Sequence, residues 1–192
     1  MSAPLPTRAL GRSGIAVGAI GLGCMGMSWA YGAPERDDAR SVATIHRALE
    51  LGVTLIDTSD VYGPFTNEEL VGRALAGRRD RAVVATKAAL WPSIRRRPGR
   101  CATTAARGTS RAPPRPRRGG WAWMIDLYQL HRVDPAVPLE ETWGAMAELV
   151  RAGKVRALSL GGERRAARGR RRDPSRRIGA VGAVALDARP AR

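Results

Sequence analysis

The sequence predicts an α/β fold in which a parallel β-sheet is covered by helices. Three observations predict it: short apolar strands alternate with amphipathic helices, glycines and polar turns separate these elements, and titratable side chains follow the ends of the strands. A chain of 192 residues can form one domain with its own core. Its hydrophobic content of 44% excludes a chain that is disordered throughout.

The predicted elements follow from the spacing of apolar residues and from the glycines and turn residues between the apolar runs. A hairpin is expected first, within residues 7–22. Five strands are predicted as short apolar runs, over residues 19–22, 53–56, 82–86, 124–130 and 154–158. Three helices are predicted from apolar residues at helical spacing, over residues 36–51, 66–75 and 139–152. Gly52, Gly77 and Gly153 stand where these helices should end, and Thr66 with Glu69 has the spacing of a capping box.

Four titratable residues lie at or near the ends of the predicted strands. Asp57, Lys87 and His131 each follow a strand directly, and Tyr62 comes soon after Asp57. In a (β/α)₈ barrel the carboxyl ends of all strands meet on one face, and that face holds the chemistry. We therefore expect the four side chains to share a pocket. Each one alone also has a structural explanation, as a turn cap, a solvated charge, a loop anchor or a core histidine.

Other functional patterns in the chain are weaker. Residues 21–26 spell G-x-G-x-x-G, but no convincing helix or acidic partner follows, so a tight loop is favoured over a dinucleotide fingerprint. Cys24 and Cys101 have no His or Cys at ligand spacing, so we predict neither a metal site nor a disulfide framework. We expect a cytoplasmic protein, because no secretory signal or apolar run of membrane-spanning length is apparent.

The net charge of +16 is concentrated in two segments. Residues 91–125 hold nine arginines and no acid, and residues 163–192 hold ten arginines and three acids, which together account for the whole excess. We interpret 92–123 as a low-complexity basic insert, in which prolines prevent a continuous helix, and 163–192 as a disordered basic tail. Their Arg, Ala, Gly and Pro content is typical of GC-rich DNA read out of frame. Non-specific binding to nucleic acid is the alternative function, and an inert pseudogene product is another.

Four motifs resemble the aldo/keto reductases. They are GLGCMGMS (21–28), IDTSDVYGPFTNEEL (56–70), ATK (85–87) and IDLYQLHR (125–132), with a further match over 138–156. The resemblance implies a (β/α)₈ barrel, NADP(H) as cofactor and reduction of a small-molecule aldehyde or ketone. It places the catalytic tetrad on Asp57, Tyr62, Lys87 and His131, with Tyr62 as the proton donor. It also implies cofactor contacts for Cys24, Met25 and Asp57.

The chain departs from this family in length. A (β/α)₈ barrel needs about 250 residues, whereas only five strands are predicted before the pattern ends. We therefore expect a partial (β/α)₈ TIM barrel of about five βα units over residues 7–160, with catalysis impaired by truncation. Such a part-barrel exposes the edges of its first and last strands, which makes self-association possible.

Overall fold

A computed structural model describes residues 5–31, 36–63, 65–88, 125–132 and 138–160. The predicted basic insert (92–123) and basic tail (163–192) lie outside the described residues, so their interpretation stays a prediction. The elements are, in chain order, β1 (Thr7–Ala9), β2 (Ala16–Gly18), β3 (Gly21–Gly23), α1 (Asp38–Glu50), β4 (Leu55–Asp57), α2 (Thr66–Ala74), β5 (Val83–Ala88), β6 (Ile125–Leu130), α3 (Leu139–Arg151) and β7 (Val155–Leu160). Short 3₁₀ turns lie at Met25–Met27 and Arg79–Arg81.

The strands form two sheets. β1 and β2 pair antiparallel as the expected hairpin, and β3 to β7 form a five-stranded sheet in chain order. Every pairing within the larger sheet is parallel. Strand order that follows chain order, with helices between strands, is how a (β/α)₈ barrel is built. The described residues form five strands of such a barrel, and the predicted partial TIM barrel is confirmed.

The two faces of the larger sheet bury different partners. Ala85, Leu127 and Ala157 lie in the cluster on the inner face, where the hairpin packs through Ile15 and Val17. Because side chains alternate along a strand, Lys87 lies on the same face as Ala85, one step closer to the strand's carboxyl end. The hairpin therefore covers one end of the inner face, and the polar strand ends are left at the other.

The helices cover the outer face. Ile45 and Leu49 of α1 and Val71 of α2 pack with Ile56 and Val84 of the sheet. Met146 of α3 belongs to a second cluster with residues of β6 and β7. Within the described ranges, no helix combines the length and the apolar character that a membrane span requires.

Glycines end two helices as predicted. Gly52 has a φ of 85° and Gly153 a φ of 67°, and the residue after each donates back to a carbonyl in the helix. These bonds form Schellman motifs, whose left-handed position favours glycine. α1 begins two residues later than predicted, after Asp37, whose side chain accepts a hydrogen bond from the Arg40 backbone N–H.

The capping box predicted at Thr66 is wrong. Phe65, in a left-handed conformation with φ of 68°, precedes α2, and Thr66 is the first helical residue. The Thr66 hydroxyl donates to the carbonyl of Gly63 at 2.5 Å. Thr66 therefore lies one position inside the helix, and Phe65 occupies the N-cap position from which a threonine side chain would cap the first N–H groups.

Candidate active site

The structure brings together the four residues predicted to share a pocket. Lys87 Nζ lies 2.5 Å from Asp57 Oδ2, 3.0 Å from the Thr58 carbonyl oxygen and 3.5 Å from the Tyr62 hydroxyl. The Tyr62 and His131 rings meet edge to face, with centroids 6.2 Å apart. A carboxylate, an ammonium, a phenol and an imidazole thus form one continuous cluster. The strand ends predicted that these four groups lie together.

Tyr62 is held between aromatic and charged neighbours. Its ring stacks on Trp29 with centroids 5.8 Å apart and planes 17° apart. Lys87 Nζ lies 5.3 Å from the centre of the same ring. Only 6% of Tyr62 is exposed, so the phenol has a defined position and is largely shielded from water.

Strand register places the cluster at the carboxyl end of the sheet. Asp57 ends β4 and lies opposite Ala85, and the Thr58 N–H donates to the Ala85 carbonyl at 2.9 Å, which continues the ladder by one step. The chain then turns, and the Tyr62 N–H donates to the Ser59 carbonyl at 3.2 Å. This turn directs the phenol back towards Lys87, whose side chain is only 11% exposed.

The motifs and this geometry agree with a comparison against protein families. The model of the aldo/keto reductase family matches residues 19–169. This chain belongs to the aldo/keto reductase family.

Solved structures of other aldo/keto reductases resemble the chain. An aldo-keto reductase from Bacillus halodurans in its holo form is 30% identical, with a TM-score of 0.62, and the match covers 81% of this chain and 50% of that one. A thermostable aldo-keto reductase solved with the inhibitor epalrestat is 31% identical, with a TM-score of 0.62 and coverage of 84% and 55%. An aldo-keto reductase from Klebsiella pneumoniae in complex with NADPH is 33% identical, with a TM-score of 0.54 and coverage of 76% and 45%. The chain therefore spans about half the length of these relatives.

A buried amide supports the site of this aldo/keto reductase, and the sequence analysis did not identify it. The Asn67 side chain accepts from the Thr58 hydroxyl at 2.6 Å and donates to the Cys24 carbonyl at 2.8 Å and to Ser28 Oγ at 2.6 Å. The Ser28 hydroxyl in turn donates to the Tyr62 carbonyl at 3.1 Å. Asn67 therefore joins the loops after β3 and β4 to the start of α2. A polar residue in the first turn of a helix is common, so spacing alone gave no signal.

Gln129 is a second residue that sequence reasoning missed. It lies opposite Lys87 in the register of β5 and β6, and its Nε2 donates to Asp57 Oδ1 at 3.2 Å. Both oxygens of Asp57 are thus bonded, one to Lys87 and one to Gln129. The available signal was Gln129 itself, a polar residue two positions after the inward-facing Leu127.

The residues expected to contact a cofactor lie beside the tetrad. Cys24 is fully buried; its N–H donates to the Asp57 carbonyl at 2.8 Å. Burial, reinforced by the negative charge of Asp57, raises the pKa of the Cys24 thiol to about 12, so the sulfur is a neutral packing group. Met25 begins the short turn after it. Contacts of Cys24, Met25 and Asp57 with a nicotinamide stay a prediction.

The electrostatic environment favours a neutral imidazole at His131. Burial lowers the pKa of His131, and the positive charges of Lys87 and Arg132 act in the same direction. The carboxylates of Asp60 and Asp57 oppose this effect. Among the described residues, no group of three His, Cys, Asp or Glu side chains could hold a metal ion.

Proposed function

We propose that this aldo/keto reductase is an NADPH-dependent oxidoreductase that reduces an aldehyde or ketone to an alcohol, with Tyr62 as the proton donor. The observation that carries the proposal is the position of Lys87 Nζ, 3.5 Å from the Tyr62 hydroxyl and 2.5 Å from Asp57 Oδ2. A phenol is a weak acid at neutral pH unless a positive charge stabilises its phenolate. In this proposal the ammonium of Lys87 supplies that charge.

Each residue of the tetrad has a distinct task in this proposal. Asp57 and the Thr58 carbonyl hold the Lys87 ammonium in place through bonds of 2.5 and 3.0 Å. The Tyr62 hydroxyl gives its proton to the carbonyl oxygen of the substrate as negative charge develops there. His131 donates a hydrogen bond to the same oxygen when its ring carries a hydrogen on Nε2, and so orients it. Bound NADPH supplies the hydride that reduces the carbonyl carbon.

The residues around the tetrad fit the reacting end of such a cofactor. Gly23, which lies opposite Asp57 at the end of β3, borders open space where a side chain would stand. Gln129 and Ser159 lie opposite each other on β6 and β7, and both are buried. The open space beside Gly23 can accept a flat nicotinamide ring, and the Gln129 amide and Ser159 hydroxyl can hydrogen-bond its carboxamide. The Klebsiella relative solved with NADPH also supports this cofactor.

A titration with NADPH tests the proposal. We expect saturable quenching of protein fluorescence by NADPH in the full chain, together with reduction of simple aldehydes. Tyr62→Phe should lower the reduction rate by about 10²–10⁴-fold, since it removes the proton donor, while NADPH still binds. Tyr31→Phe is the matched control, because Tyr31 is 70% exposed. Absence of NADPH binding at millimolar concentration, or a Tyr62→Phe variant as active as the parent, contradicts the proposal.

Four further expectations stay predictions. Non-specific binding to nucleic acid through the arginines of 92–123 and 163–192 would weaken steeply as salt rises, without sequence preference. Self-association would follow from pairing of exposed strand edges, since β3 and β7 each pair with one strand in the described part of the chain. A cytoplasmic location and impaired turnover, both expected from the sequence, are likewise proposals.

A further inference from the structure

A serine lies between His131 and a carboxylate that the tetrad does not include. The Ser59 hydroxyl donates to Asp60 Oδ1 at 3.0 Å and lies 3.4 Å from His131 Nδ1. Ser59 is fully buried, so water does not compete for these contacts. The three side chains form a chain of polar groups that ends at the imidazole facing Tyr62.

The hydrogens shared by the Ser59, Asp60 and His131 side chains can be assigned by counting donors and acceptors. Ser59 has one hydroxyl hydrogen, whereas ionised Asp60 can only accept. A charged acceptor forms the stronger hydrogen bond, so the hydroxyl hydrogen points to Asp60. The Ser59 oxygen can then only accept from Nδ1, which must carry a hydrogen.

We propose that Ser59 and Asp60 are positioning residues that hold the hydrogen of neutral His131 on Nδ1. The turn that contains them is fixed to the rest of the site: the Tyr62 N–H donates to the Ser59 carbonyl, and the Phe65 N–H donates to the Asp60 carbonyl at 2.9 Å. Neutral His131 therefore presents the bare Nε2 nitrogen, and only the protonated ring can donate from Nε2.

Charged groups from several elements face this histidine. Asp57 ends β4, Lys87 lies on β5 and Arg132 is the next residue in the chain. Asp60 itself faces Glu68 of α2 and Tyr128 of β6. Of these groups, only Asp60 is linked to the imidazole through a hydrogen-bonded hydroxyl in the described residues.

The catalytic consequence rests on the proposed function, whereas the tautomer does not. If His131 must donate to the substrate's carbonyl oxygen, reduction should slow as pH rises through the pKa of His131, because the neutral ring has no hydrogen on Nε2. Removing Asp60 frees the Ser59 hydrogen for Nδ1 and moves the imidazole hydrogen to Nε2. The variant should then lose part of that dependence on pH.

The tautomer can be measured by NMR on the full chain labelled with ¹⁵N-histidine, without cofactor or substrate. The sequence has two histidines, so a His46→Gln variant assigns the signals of His131. Above the pKa of His131 we expect a protonated-type shift for Nδ1 and an unprotonated-type shift for Nε2. In Asp60→Ala the two should exchange and the pKa should fall, because the Asp60 charge that raises it is gone. Ser59→Thr should preserve the parent pattern.

Two outcomes overturn the proposal. One is a parent protein whose neutral His131 carries its hydrogen on Nε2. The other is an Asp60→Ala variant, folded by circular dichroism, whose hydrogen stays on Nδ1. If Asp60→Ala does not fold, Ser59→Ala replaces it and must lose the single Nδ1–H form. Failure of NADPH to bind would refute the proposed function and leave this result unaffected.

Discussion

Lys87 Nζ lies 2.5 Å from Asp57 Oδ2, and the two side chains are 11% and 32% exposed. The pair is therefore largely removed from water, where an ion pair costs desolvation energy and an uncompensated partner costs more. Because Lys87 also reaches the Tyr62 hydroxyl, the pair links the stability of the fold to the proposed chemistry.

Removing both charges of this pair together should destabilise the protein less than the two single removals added together. We expect Lys87→Met and Asp57→Asn each to cost about 2 kcal/mol of unfolding free energy, below the usual range for a fully buried pair because Asp57 is one-third exposed. The double variant should cost clearly less than the sum of the two. Urea unfolding followed by circular dichroism gives the three values. Simple additivity would show that the pair does not interact.

A second carboxylate at position 129 should destabilise the site, because Gln129 lies against Asp57. Its Nε2 donates to Asp57 Oδ1 at 3.2 Å, so Gln129→Glu places a second carboxyl against Asp57. Like charge and burial raise the pKa of the new carboxyl above its unfolded value of about 4.3. The variant should therefore be near parental stability at pH 4 and lose stability as pH rises to 8. Gln129→Leu is the control: it loses the hydrogen bond, at a cost of about 1–3 kcal/mol, without that added dependence on pH.

The sequence predicted the features that depend on local pattern. Alternation of strands and helices gave the parallel sheet, and residues placed after strand ends predicted which side chains lie together, because parallel strands bring their carboxyl ends to one edge. Asp57, Lys87 and His131 were found in this way. Tyr62 was found from its short distance to Asp57 in the chain.

Contacts between distant parts of the chain could not be read from local pattern. Gln129 contacts Asp57 across 72 residues of sequence, and Asn67 contacts Cys24 across 43. No local sequence feature of either residue identifies its partner. His46 of α1 is a further example, since its Nε2 lies 2.8 Å from the Ala74 carbonyl oxygen of α2. The capping box at Thr66 failed because the helix begins at Thr66 itself, with Phe65 at the N-cap position.

Glu68 should make the protein less stable as pH rises from about 4.5 to about 7. Its carboxyl accepts from the Thr86 hydroxyl at 2.5 Å, and burial, reinforced by Asp60, raises the pKa of Glu68 to about 7. Below pH 4.5 both folded and unfolded states hold the proton. Between pH 4.5 and 7 only the unfolded chain releases it, so stability falls, by about 3 kcal/mol once both states are ionised.

Glu68→Gln provides the test, because its amide oxygen can still accept from Thr86. The unfolding free energy of the parent minus that of Glu68→Gln should decrease between about pH 4.5 and pH 7 and level off above that. Taking this difference removes the contribution of His131, which is the same in both proteins. The lowered pKa of His131 by itself makes stability rise with pH up to about 6.5. Parallel curves for the two proteins would mean that Glu68 titrates normally.

Outside the candidate active site, Asp126 should be the charged residue whose loss costs most stability among the described residues. On the outer face of β6, its Oδ2 accepts from Arg79 at 2.5 Å and from the Val84 N–H at 2.8 Å, and its Oδ1 accepts from Arg156 at 2.8 Å. The side chains of Asp126 and Arg79 are 5% and 14% exposed, whereas that of Arg156 is 45% exposed. The carboxylate thus joins β5, β6 and β7 from one buried point.

Because these side chains differ in exposure, their removal should cost different amounts of unfolding free energy, which urea unfolding can measure. Asp126→Ala deprives the buried Arg79 guanidinium of its carboxylate and leaves the Val84 N–H without this acceptor, so we expect a loss of about 3–5 kcal/mol. Arg156→Met removes a half-exposed partner while Asp126 keeps Arg79 and Val84, so the loss should stay near 1 kcal/mol or less. Equal losses, or a larger loss for Arg156→Met, would show that the outer arginine rather than the buried one determines the strength of this junction.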